Sequence, residues 1–200
     1  FTGALITPTL TTAAQGYDLD LLGSGTIITN ACAFINTGIL TLGDAAADTL
    51  LFDGGLTATA PSSVTLNATL RSSADTITIG DAGTGLTLAG TTSIIDTTNA
   101  GGSPLGGAIA VDGAVVGTVA NTQSLTLDAG TAGTIAFSST IGAVTSLATL
   151  TVTNSNGATF TGAVTAATSV VLTDTTDVAN ITFTGALITP TLTTAAQGYD

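Results

Sequence analysis

Phe137, Phe160 and Phe183 recur at a constant interval of 23, each inside a run that alternates Thr with apolar residues. Their contexts are alike: IAFSSTIGAVTSLATLTVT, ATFTGAVTAATSVVLT and ITFTGALITPTLTT. Each unit holds an alternating run around the Phe, then a glycine, then a second β-rich run. A unit this short cannot bury its apolar face alone, so its recurrence calls for stacked neighbours. The same alternation fills DTITIGD (75–81), SLTLD (124–128), ATLTVTN (148–154) and ITFTG (181–185). A period of two puts Ile, Leu, Val or Phe on one face and Thr on the other. Thr suits the outer face, being β-branched and compatible with water. Gly-, Asn- and Asp-rich joints such as AGTAG (129–133), NSNG (154–157) and NAGGSPLGG (99–107) separate the runs. No segment carries a helical period, and the chain reads as all-β.

Longer-range order is also written in. Residues 1–18, FTGALITPTLTTAAQGYD, recur without change as residues 183–200, an offset of 182. The expected organisation is a tandem array: residues 1–182 form one period of about eight such units, and 183–200 begin the next.

Two all-β architectures meet this pattern. In a right-handed parallel β-solenoid each unit is one coil, rising about 4.8 Å, with Phe137, Phe160 and Phe183 forming an internal ladder. A period would then advance the stack by about 38 Å. In the alternative, each period is one or two Ig-like sandwiches built from hairpins, and Asn156-Gly157 between alternating runs is a hairpin signal. The equivalent joints AGTAG and TDTTDVAN differ in length and type. Hairpin register depends on turn length whereas solenoid corners tolerate variation, which favours the solenoid.

The Thr/Gly/Ala-rich units of GTIAFSSTIGAVTSLATLTVTNSNGATFTGAVTAATSVVLT resemble the β-strand repeats of large bacterial surface proteins, the filamentous-haemagglutinin-like adhesins and autotransporter passenger domains. That resemblance implies a secreted, cell-surface, often very long β-helical stalk. It brings no catalytic residue with it, and the GGxGxD calcium repeat of related secreted solenoids is missing from the chain.

Composition narrows the chemistry. The formal charge is −12, from 13 Asp against the single cation Arg71, with no His, Lys, Glu, Met or Trp. A nucleic-acid surface or a polybasic membrane patch is excluded. His-based acid–base chemistry, Schiff-base lysines and P-loops lack their essential residue. The most apolar stretch, residues 106–120, is broken by Asp112 and by glycines, so no membrane insertion is expected. The opening residues read as strand rather than as a leader.

Asp is left as the one residue type for a site. Asp18 and Asp20, two apart, would point the same way on a strand, and Asp174 and Asp177 form a similar cluster, as do Asp44/Asp48 and Asp75/Asp81. No cofactor is expected, with calcium as the one alternative: carboxylate and carbonyl oxygens suit it, and Asp18, Asp20, Asp174 and Asp177 are its candidate ligands. Paired carboxylates also serve glycosidases, the remote alternative of a polysaccharide-active β-helix enzyme. No catalytic residue is assigned. Cys32 reads as a small buried thiol or, alternatively, an interchain disulfide. Arg71 is placed to pair with Asp75, and Asn67 and Asn180 open sequons that chance explains in a Thr-rich chain. The expected function is a structural repeat of a long extracellular fibre whose partners are copies of itself. The alternative is an adhesin stalk with a surface glycan or protein partner.

Overall fold

The computed structural model describes residues 1–173 and 179–195. Every ladder between its strands is parallel, and the chain cycles through three sheets in a fixed order, climbing one rung per circuit. Face I holds seven strands, from Cys32–Ala33 to Ile181–Phe183. Face II is the five-stranded sheet that includes Leu19–Leu21 and Ile39–Leu42. Face III is the ten-stranded sheet that includes Thr26–Ile28 and Thr49–Phe52. Late in the chain one strand, Val164–Leu172, turns the corner itself. Its first residues continue face II onto Leu187–Ile188, and its last continue face III onto Leu192–Thr194. The protein is a β-solenoid of about eight turns, with no helix among the described residues. Asn156-Gly157 is accordingly a corner, joining Leu147–Asn154 on face III to Ala158–Phe160 on face I, and the sandwich is overturned.

Parallel, in-register stacking places each inward residue on its equivalent one rung away. On face II the interior ladder runs Leu40, Val64, Leu86, Val115, Ile141, Val164 and Leu187. On face III it runs Leu50, Leu70, Ile95, Leu127, Val152 and Leu172. The Phe ladder forms on face I: Phe137 and Phe160 stack with ring centroids 5.5 Å apart, Phe160 and Phe183 at 4.8 Å. Offset stacking of this kind adds to burial. Lower down, Ala58 pairs with Ile79 on the same face, and Phe34 meets Phe52 edge-on at 5.8 Å. Outward positions stack Thr on Thr, as in Thr41, Thr65 and Thr87.

The interval of 23 holds only for the last rungs. Elsewhere the step from one rung to the next varies, from shorter, as from Leu50 to Leu70, through slightly longer, as from Cys32 to Leu56, to much longer, as from Thr92 to Ser124. Strand registers keep the ladders aligned and the corners absorb the difference. Where rungs are equal the corners stack as well. A Cβ on Gly162 would lie 2.4 Å from the Ser139 carbonyl carbon, and one on Gly185 2.4 Å from that of Gly162, so these corners admit glycine alone.

The ladder makes a sharp prediction. Phe160→Ala removes a fully buried ring from the middle of the stack and is expected to cost about 3–5 kcal/mol in urea unfolding. Thr159→Ala, one residue away and facing water, is expected to change stability by less than about 0.5 kcal/mol.

Candidate functional site

Of the sequence-adjacent Asp pairs, Asp18, Asp48 and Asp81 spend their carboxylates on backbone N–H groups. Asp18 precedes the strand Leu19–Leu21, and its Oδ1 accepts the Ile39 N–H of the next rung at 2.7 Å. Asp20 lies within that strand, exposed like Asp18 just before it. Asp48 is buried and accepts the Asp44 and Ala45 N–H groups at 3.0 and 2.9 Å, closing its own loop. Asp81 accepts the N–H groups of Gly83 and Thr84 at 2.7 and 2.8 Å, and these bonds hold its carboxyl below the usual range. Asp75 is not joined to it. Asp174 and Asp177 lie outside the described residues. Among the described residues no three of His, Cys, Asp or Glu gather in a group that could hold a metal.

The one dense polar column among the described residues stands on face III, at the end where the chain leaves for face I. Register stacks Arg71, Asp96, Asp128 and Asn154 on successive rungs. Arg71 therefore pairs with Asp96, not Asp75: Nε lies 3.3 Å from Asp96 Oδ2, an ion pair without the alignment of a hydrogen bond. The reason is topological. Arg71 ends the strand Thr69–Arg71 and rests directly beside Asp96 of Thr92–Asp96, whereas Asp75 lies beyond the turn.

Asp96 is the anchor of the column. Its Oδ1 accepts the Thr98 N–H at 2.7 Å and the Thr98 hydroxyl at 2.6 Å, and its Oδ2 accepts the Ala100 N–H at 2.7 Å. These bonds stabilise a turn in which Asn99 and Ala100 adopt φ of 51° and 57°, a conformation that costs energy for Ala. From this turn the chain makes the excursion that lengthens its rung, and Thr97 Oγ1 ties the far end down by donating to the Gly107 carbonyl at 2.8 Å. The excursion walls a cleft of about 350 Å³ lined by Thr98, Pro104, Asp128, Thr131 and Asn154. Asp128 is half-buried there, with Oδ1 accepting the Gly130 N–H at 3.0 Å. Burial raises its pKa, the Gly130 bond opposes that, and the Asp96 charge raises it further. Above it the buried Oδ1 of Asn154 has no partner.

Chemically, this column is a loop anchor with one carboxylate balanced and one not. Sequence reasoning missed it because its members are a rung apart. The intervals separating Arg71, Asp96, Asp128 and Asn154 are all unequal, and no fixed period reveals that spacing.

Cys32 faces the core and is 3% exposed, with Sγ 3.7 Å from the Leu10 carbonyl. Burial pushes its thiol up to about 11, so the reactive thiolate is scarce at neutral pH. Asn67 of the first sequon spends its Nδ2 on the Asp44 carbonyl at 2.7 Å. No protein family, curated protein or solved structure matches the chain.

The carboxylate and the thiol each give a test. A carboxyl whose folded pKa is raised leaves stability greatest below its unfolded value and erodes it as pH climbs through the folded one. Asp128→Asn keeps an acceptor for Gly130 and removes the charge. It is expected to raise the melting temperature at pH 7 by about 2–4 °C, a gain that vanishes below the ordinary carboxyl value of 3.8. For Cys32, a thiol reagent at pH 8 is expected to label the native protein at least about tenfold more slowly than the urea-unfolded chain. Equal rates would place the thiol in solvent.

Proposed function

We propose that this chain is a repeat unit of a long extracellular fibre, a filament, sheath or stalk whose product is length. The observation that carries it is the unchanged recurrence of residues 1–18 at 183–200 across a fold that grows by adding rungs. In a stack each rung touches only its neighbours, so copies can be added without redesigning the core. The resemblance to bacterial surface-protein repeats agrees with this role.

Surface chemistry supports the location. The single cation, Arg71, lies on a strand and is paired with Asp96, so trypsin-like proteases meet no exposed, mobile cleavage site. A net charge of −12 with Thr-lined outer faces keeps neighbouring fibres soluble. The polar column adds no separate role, since its carboxylates hold the excursion in place.

Immunogold labelling with an antibody to the shared segment tests this reading. Filaments outside unpermeabilised source cells are expected to be decorated along their length. Label that enters only after permeabilisation, with none on external structures, would overturn it.

A further inference from the structure

The two copies of the shared segment sit on different faces. At the base of the stack Phe1 lies under Leu19–Leu21 of face II, its carbonyl accepting the Leu22 N–H at 2.8 Å; Ile6–Thr7 then lies on face III, and Leu10 under Cys32 of face I. At the top Phe183 lies on face I, Leu187–Ile188 on face II and Leu192–Thr194 on face III. Identical residues are therefore displaced by one face.

Their local shape is nonetheless shared. Both copies bend at the glycine and at the proline, residues 3 and 8 in one, 185 and 190 in the other. Thr7 Oγ1 donates to the Thr9 carbonyl at 3.1 Å, and Thr189 Oγ1 to the Thr191 carbonyl at 3.0 Å.

Their outward hydrogen bonds are complementary. Toward the rung above, the lower copy offers the carbonyls of Phe1, Leu5, Thr7 and Pro8 to Leu22, Ile27, Thr29 and Asn30. Toward the rung below, the upper copy uses the N–H groups of Thr184 and Ala195 and the carbonyls of Ala186 and Thr191. In the lower copy's numbers those are the N–H groups of residues 2 and 13 and the carbonyls of 4 and 9, none of which bonds to the rung above. The residue 13 N–H, which the lower copy gives to its own Tyr17 hydroxyl at 2.9 Å, exchanges that partner for the rung below. Alternate residues of a parallel strand bond to opposite sides, as a segment paired on both edges requires. Glycine 3 makes the same point. A Cβ there would meet nothing within 4 Å, yet on its counterpart Gly185 it would strike Gly162. Residue 6 is paired upward as Ile6 with Ile27 in the lower copy and downward as Ile188 with Thr165 in the upper one.

We infer that one copy of the segment serves at once as the top rung of one period and the bottom rung of the next, so that the open end of the stack is the docking surface for a following copy of this chain's repeat. This deepens the fibre reading and rests on it. Face I of one period then becomes face II of its successor. From Phe1 on face II to Phe183 on face I, near the top of the stack, the chain crosses 23 faces, which is 7⅔ turns. Each period turns every surface feature by one face, and three periods restore it.

Helical reconstruction of the native filaments by cryo-EM tests this. Expected is a rise of about 37 Å per period, coupled to a rotation of about a third of a turn, with rungs about 4.8 Å apart. A rise of about 38 Å with rotation near zero would mean eight whole turns per period. That result would overturn the face shift and leave the fibre reading standing. Filaments with no axial periodicity of that size would overturn the tandem array, and the inference with it.

Discussion

The structure depends on backbone hydrogen bonds that run along the stack axis and hold each rung in register with the next. Register turns a one-dimensional sequence into columns: whatever residue occupies a position meets its equivalent above and below. Inward columns must then be apolar and of compatible size, as the ladder from Leu40 to Leu187 shows. Outward columns must tolerate repetition, which Thr does and a stacked carboxylate does poorly. Once a column contains Asp96 beside Asp128, something must relieve the repulsion. Arg71 balances the first, while the second, its pKa raised chiefly by burial and less by the Asp96 charge, has the Gly130 N–H as its hydrogen-bond partner.

The carboxylates share a use that has little to do with ligands. Asp18, Asp48, Asp81, Asp96 and Asp128 each accept a backbone N–H at a corner, where the chain leaves a sheet and an amide would otherwise go unpaired. Short acidic side chains are suited to this by their reach. That accounts for the chain's reliance on Asp, with no Glu at all.

Much of the fold was legible because alternation is a local property. The strands around Phe137, Phe160 and Phe183, their parallel stacking and the all-β character follow from short windows of sequence. What was not legible is anything that depends on how long a particular rung is. The interval of 23 is real between Phe137 and Phe183, but the excursion after Asp96 stretches its own rung well beyond that. A pairing such as Arg71 with Asp96 depends on the rung between them, and sequence proximity pointed instead to Asp75. Residues two to six apart share a corner or a strand, whereas residues a whole rung apart share a column, so the column of Arg71, Asp96, Asp128 and Asn154 has no counterpart in the sequence-adjacent Asp pairs. Asn156-Gly157 carries genuine turn chemistry, yet a turn between two sheets and a turn between two paired strands use the same residues.

The axial direction of the hydrogen bonds has a mechanical consequence. Tension along the stack pulls rungs apart one interface at a time, because each rung is bonded only to its two neighbours. A rung such as the one from Cys32 to Leu56 extends to about 80 Å once freed but occupies about 4.8 Å of axis when stacked. Each detached rung therefore releases roughly seventeen times its folded length while its covalent backbone stays intact. Under load such a stack yields by lengthening rather than by breaking, and the next rung down presents the same free edge on which the lost one can wind back.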